Sequence, residues 1–223
     1  ISDILAYTSF GDVMKEAMKR LAYNAGESID AIVRNVIATA GTLQNATGVA
    51  GAAFTSIPVT GYLTIGEIKK AVRTLRRNDA PTLEDGYYVG AIHSDTLYDL
   101  QSDTTVGGWI DANKYTDSNV NKLLKGEVGR LHGVRFLETS AGYVRGTGVT
   151  SSASLYVTNI FGQDAFGVTE LQGLKTYVKG FESGGTADPT EKVATAGWKT
   201  TFGVVPLNPA FQVSITHTVT STA

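Results

Sequence analysis

An α+β fold, with helices early and strands late, is what the sequence predicts, on three observations. An apolar stripe at intervals of three and four runs unbroken from about Ser9 to Ala40. Short apolar or alternating runs bounded by Gly, Asn, Asp and Pro crowd the second half. No internal repeat and no low-complexity linker divides the chain.

The first element is one long helix. Val13, Ala17, Leu21, Ala25, Ile29, Val33, Val36 and Ala40 form its stripe, and Gly41 supplies a stop. At about 1.5 Å per residue such a helix spans roughly 45 Å, long for a compact domain of this size, and suits a spine running through an elongated, flat molecule. Gly26 inside it costs about 1 kcal/mol relative to Ala and marks the expected position of a bend. Residues 42–61, rich in Gly, Ala, Thr and Ser, read as loop.

A second helix spans Ile65 to Arg77, with Thr64 and Glu67 spaced as a capping box and Ile65, Ile68, Val72 and Leu75 as its apolar face. Lys69, Lys70, Arg73, Arg76 and Arg77 lie largely off that face, and Asn78-Asp79-Ala80-Pro81 ends it. Tyr87 to Ile92 reads as a strand buried on both faces, followed by a short helix to Leu100 capped by Ser94 or Asp95. Helical pieces are expected near Trp109 and over 120–124. Strands are expected at Val134–Leu137, Leu155–Phe161, Phe166–Leu171, Leu174–Phe181, Trp198–Val205 and Phe211–Val219, with loops at 142–154 and 182–190.

Composition narrows the function classes. The 223 residues are 42% hydrophobic and 18% charged, which fits either a large core or a surface covered by neighbouring subunits. A net charge of −2 and a pI near 5.9 give no global basic field. With no cysteine there is no disulfide, thiolate nucleophile or cysteine-held metal. No apolar run approaches the roughly 20 residues of a membrane span, so no membrane partner is expected.

Reactive constellations are sparse. His93, His132 and His217 lack the i, i+4 spacing of a helical metal site. Asp95, Asp99 and Asp103 read as a capped, solvated helix face rather than a cation site. There is no G-x-S-x-G elbow and no phosphate-cradling glycine loop; Gly184-Gly185-Thr186 is a turn, and Gly146-Thr147-Gly148 lacks a third spaced glycine. Asn45-Ala46-Thr47 matches a glycosylation acceptor by chance. The expectation is a structural building block rather than an enzyme, with no catalytic residue, cofactor or metal. The basic cluster at Lys69, Lys70, Arg73, Arg76 and Arg77 is the one charged feature that stands out.

Several blocks, in order, carry a resemblance: Ile68 to Pro81; Gly86 to Leu100 with its strand, His93-Ser94-Asp95 turn and short helix; Trp109 to Tyr115; Gly126 to Thr139; Ile160 to Gly167; Gly185 to Pro189; and Ala196 to Lys199. The series resembles the major capsid family of tailed bacteriophages named after the phage N-four, with Ser94 where that family usually has proline. The resemblance covers nearly the whole chain. It implies a Hong Kong 97-like fold with a peripheral lobe carrying the spine helix and an axial lobe meeting its copies around five-fold or six-fold axes. On that basis residues 1–60, with the helix at about 9–40, belong to the peripheral lobe, 61–200 mainly to the axial lobe, and 201–223 to strands returning to the peripheral lobe.

The same resemblance implies a structural subunit of an icosahedral shell, assembling into pentamers and hexamers around double-stranded DNA. Its home is the virion, assembled in the bacterial host cytoplasm, with scaffold, portal and decoration proteins as further partners. The N-terminal arm and extended hairpin of such proteins precede the spine helix; since this sequence opens at Ile1, close to the helix, both are expected to lie outside it. The basic helix face, Lys69 to Arg77, meets an acidic neighbour or faces the DNA, and Gly26 bends the spine between ring types. An encapsulin-like bacterial nanocompartment shell is the nearest rival reading, and a hydrolase with dispersed catalytic residues a remote one.

Overall fold

A computed structural model of the chain describes residues 2–4, 12–46, 57–58, 60–103, 108–109, 127–147, 154–181, 189–190 and 192–220. The expected helical pieces beyond Trp109 and over 120–124, the loop over 182–188, and the helix start ahead of residue 12 lie outside these. The chain divides into two compact units, one of residues 1–33 and 168–204, the other of residues 34–167 and 205–223. These boundaries differ from a break near residue 60 and another near 200, because the last strand completes the sheet of the second unit.

Helix α1, Val13–Ala40, is the long helix that the apolar stripe predicts. Asp12 caps it, its carboxylate accepting the Lys15 N–H at 3.1 Å. In the first unit, α1 accompanies a two-stranded ribbon of β7, Phe166–Lys179, and β8, Thr195–Pro206. Phe166–Leu171 and Leu174–Phe181, expected as separate strands, are one: glycine at 173 does not interrupt a ribbon that demands little side-chain packing. Trp198 donates its indole N–H to Asn24 at 3.4 Å, tying β8 to α1.

The second unit holds a seven-stranded mixed sheet in the order β1-β9-β6-β2-β4-β3, with β5 also on β6. Its strands are β1 Thr42–Asn45, β2 Tyr88–His93, β3 Glu127–Leu131, β4 Val134–Thr139, β5 Tyr143–Thr147, β6 Ser154–Phe161 and β9 Gln212–His217. β5 and β1 fall in segments that read as loop: β5 pairs antiparallel with β6, the next strand along, whereas β1 runs parallel to β9, Thr42 opposite Val213, at the far end of the chain. Pairing across such distance leaves no local pattern. β2 and β4 are parallel, whereas β6 is antiparallel to β2 and β9.

Every residue of β9 is buried, including Gln212, Ser214, Thr216 and His217. The core gathers Ile65, Ile68, Val72 and Leu75 with Ile92, Leu97, Leu100, Phe136, Ile160 and Ile215. Gly41 ends α1 without a left-handed turn; it is required because a Cβ there would lie 2.8 Å from the Gln212 side chain. No helix among the described residues is long and apolar enough to cross a membrane.

Candidate functional site: a basic cleft

Helix α2, Ile65–Arg77, presents Ile65, Ile68, Ala71, Val72 and Leu75 to the core. The helical period therefore turns Lys69, Arg73, Arg76 and Arg77 outward, and all four are exposed. They line an open cleft of about 560 Å³ together with Val72 and His132. Among the described residues no carboxylate lies within salt-bridge distance of these four cations.

His132 comes from the tip of the β3–β4 hairpin. His132 and Gly133 both have positive φ, 49° and 86°, which is the backbone of a two-residue turn whose twist matches the strands. A Cβ on Gly133 would sit 3.5 Å from the Arg76 guanidinium, so the hairpin tip packs close against the helix end. Sequence reading left His132 unassigned; the His-Gly pair between Leu131 and Val134 is a hairpin signal, but nothing local says where that hairpin lands.

Lys70 departs from the predicted cluster. Its ammonium lies 2.7 Å from Glu67, and the Glu67 carboxylate is buried and also accepts the Gln44 side-chain amide at 2.8 Å. The expected capping box is absent for the same reason. Charge-assisted bonds from Lys70 and Gln44 hold the Glu67 carboxylate away from the helix start, and Thr64 makes no side-chain cap, its backbone carbonyl accepting the Glu67 and Ile68 N–H groups. Helix α2 ends at Asn78 and Asp79, whose φ of 53° takes the left-handed turn usually left to glycine.

The remaining sequence candidates are dispersed. Gly26 lies within the continuous α1, and a Cβ there would meet nothing within 4 Å. Helix α3, Ser94–Ser102, is capped by neither Ser94 nor Asp95: His93 is the N-cap, its Nδ1 accepting the Asp95 N–H at 3.1 Å. Asp95 accepts the Tyr156 hydroxyl at 3.0 Å, Asp99 accepts the Thr220 N–H at 2.8 Å, and Asp103 is the C-cap. The three aspartates are thus spent on separate structural bonds or ends. Among the described residues no group of His, Asp and Glu is arranged to hold a metal. Asn45 is buried in β1.

Beside the cleft lies a buried ion network that sequence reading missed. Arg130 and Arg135 are register partners on β3 and β4. The fully buried Glu127 carboxylate bridges them, 2.9 Å from Arg130 Nε and 3.4 Å from Arg135 Nε. Arg135 also pairs with Asp85, which holds the Asp85 carboxyl below its usual range. Arg130 stacks over the Tyr87 ring at 5.0 Å.

No protein-family model matches the sequence, and no curated protein does. Solved structures do. The capsid of Ralstonia phage GP4 superposes with a TM-score of 0.74 at 15% identity, covering 100% of this chain and 72% of that one. The cyanophage Pam1 capsid asymmetric unit gives 0.66 at 15% identity, covering 99% and 73%. A structure from Mycobacterium phage Che8 gives 0.63 at 14%, covering 96% and 67%. At such identities the likeness concerns fold. The chain has the Hong Kong 97-like fold of tailed-phage major capsid proteins.

Proposed function

We propose that this chain is the repeating structural subunit of a bacteriophage shell, closing with copies of itself around double-stranded DNA. The observation that carries the reading is the likeness to phage capsid structures over 96% to 100% of the chain. The first unit supports it independently. A two-stranded ribbon is marginal in water, yet β7 and β8 run 14 and 12 residues. Along it Leu171 is 77% exposed, and Val168, Leu174, Tyr177 and Val178 are exposed as well. Scattered exposed apolar residues are ordinary, but this many on one ribbon suits a surface that neighbouring subunits cover.

Within this reading the unit holding most of α1 with the ribbon is the peripheral lobe, and the unit holding the sheet is the axial lobe. The shell is not an enzyme, and no cofactor takes part. Copies meet through unlike surfaces that close into rings of five and six. The virion is its place of function; scaffold and portal proteins guide its assembly in the host.

Electron microscopy of the purified chain tests this. Closed hollow particles are expected, with nucleic acid inside those recovered from infected cells. A monomer that persists at high concentration overturns the proposal, and particles filled with enzyme instead of DNA move it to a nanocompartment shell.

A further inference from the structure

We propose that the cleft between α2 and the β3–β4 hairpin binds the phosphate backbone of duplex nucleic acid without regard to sequence, through Lys69, Arg73, Arg76 and Arg77. The shell reading does not require this: a shell closes through contacts between copies whatever its cations touch.

Four features point to phosphate. First, among the described residues no carboxylate pairs with these cations. Lys70, one residue from Lys69, is matched with Glu67, whereas the four lining the cleft have no carboxylate beside them among the described lining residues. Like charges gathered at the spacing of a single helix face repel, so the arrangement is stabilised by an anion brought from outside. Second, three of the four are arginines, whose planar forks take two phosphate oxygens at once.

Third, residues 69 and 77 are eight apart, about 12 Å along the helix, the axial length of three to four nucleotides of one B-form strand. Fourth, the lining is the wrong chemistry for a contact between copies. The centre of a protein–protein interface is depleted in charge and enriched in aromatic and apolar side chains. Here Val72 is the sole apolar residue among the described residues of the lining. Interfaces with DNA are by contrast polar and strongly positive. Exposed apolar residues better suited to contacts between copies lie elsewhere, several of them along β7.

An open cleft lined by cations favours the phosphate backbone, whose contacts carry no sequence information. The chain's net charge of −2 also limits long-range attraction, so binding is local, weak and salt-dependent.

The test is the salt dependence of binding by the full chain to a fluorescent duplex, with two unrelated sequences as probes. Each neutralised phosphate contributes a slope of about −0.9 in log affinity against log salt. Four contacts predict a slope between about −3 and −4, hence a weakening of about 150-fold from 50 to 200 mM salt. Arg73→Gln with Arg76→Gln should bring that weakening down to about 12-fold, equally for both duplexes. Lys70→Gln, on the same helix but outside the cleft, should leave it at the parent value.

Arg73 and Arg76 are exposed and unpaired among the described residues, and Lys70→Gln keeps a donor for the Glu67 carboxylate, so the variants should fold, which circular dichroism checks. An unchanged slope in the double variant, or an equal drop in Lys70→Gln, overturns the proposal. So does a double variant that loses particle formation while its DNA slope stays at the parent value, since the cleft is then an interface between copies. Failure of the parent chain to form particles, with the slopes as expected, overturns the shell reading alone.

Discussion

His217 and Thr158 meet inside the sheet, Nε2 lying 3.0 Å from the threonine hydroxyl, while the other ring nitrogen lies 3.0 Å from the Thr218 carbonyl. One neutral tautomer satisfies both bonds: Nδ1–H donates to the carbonyl and the hydroxyl donates to Nε2. Burial is complete and lowers the His217 pKa to about 4; the nearby His93 pushes the same way, and Asp99 opposes both.

A protonated unfolded chain and a neutral folded one make stability depend on acid. The contribution of His217 is present in full above its unfolded pKa of about 6.5 and is lost as the pH falls through 4. The urea midpoint should therefore drop between pH 7 and pH 4, by a free energy of roughly 3 kcal/mol. His217→Gln should lower stability at pH 7 and flatten this dependence. A variant as acid-sensitive as the parent assigns the effect to the carboxylates, with Asp85 the first to examine.

The Glu127 bridge makes a second prediction. Glu127→Gln leaves Arg130 and Arg135 opposed across β3 and β4 with no charge between them, and Arg135 is buried. Removing one member of a buried ion network costs on the order of 3 kcal/mol. Chemical denaturation should show that loss. Glu170→Gln, at an exposed carboxylate on β7, should change stability by less than about 0.5 kcal/mol.

Much of α2 was legible because one element carries its own pattern: the four residues assigned to the apolar face are all buried, and the basic ones point away. What periodicity cannot do is tell Lys69 from Lys70. Both lie off the apolar face, and the distinction depends on Glu67, which is itself held by Gln44 from β1. His132 was hidden likewise, since a hairpin 55 residues downstream supplies it to the cleft. The resemblance blocks were legible as strings without their physical reasons, which the described backbone supplies for some of them.

Gly162 is one such reason. It belongs to the block Ile160 to Gly167, and a Cβ there would fall 2.5 Å from the Pro81 carbonyl oxygen. That oxygen accepts the Gln163 N–H, while the Gly162 N–H bonds Phe211, so neither strand end is free to retreat. Gly162→Ala should destabilise the second unit by about 2 kcal/mol, as overpacking does, and lower the thermal midpoint accordingly. An unchanged midpoint means that the segment after Pro81 yields more readily than its bonds suggest.

The ribbon separates folding from association. Leu171→Lys with Leu174→Lys alters residues that are already 77% and 47% exposed, so the isolated subunit should retain its stability to within about 0.5 kcal/mol per site. Assembly should fail, because a charge must then be desolvated at each contact. Sedimentation of the variant beside the parent reads the result directly. Full-sized particles from the variant remove β7 from the contacts between copies.

Gly26 brings helix stability and assembly into opposition. A methyl group there meets nothing within 4 Å, so Gly26→Ala gains helix propensity, about 1 kcal/mol, with no clash to offset it. That is a rise of about 2–4 °C in the thermal midpoint for a chain of this size. If glycine is nonetheless used to let α1 bend between ring types, the more stable variant should form fewer closed particles and more open sheets or tubes. Helices of one curvature in every copy of the parent shell, together with normal particles from Gly26→Ala, would reduce the glycine to a tolerated weakness in the helix.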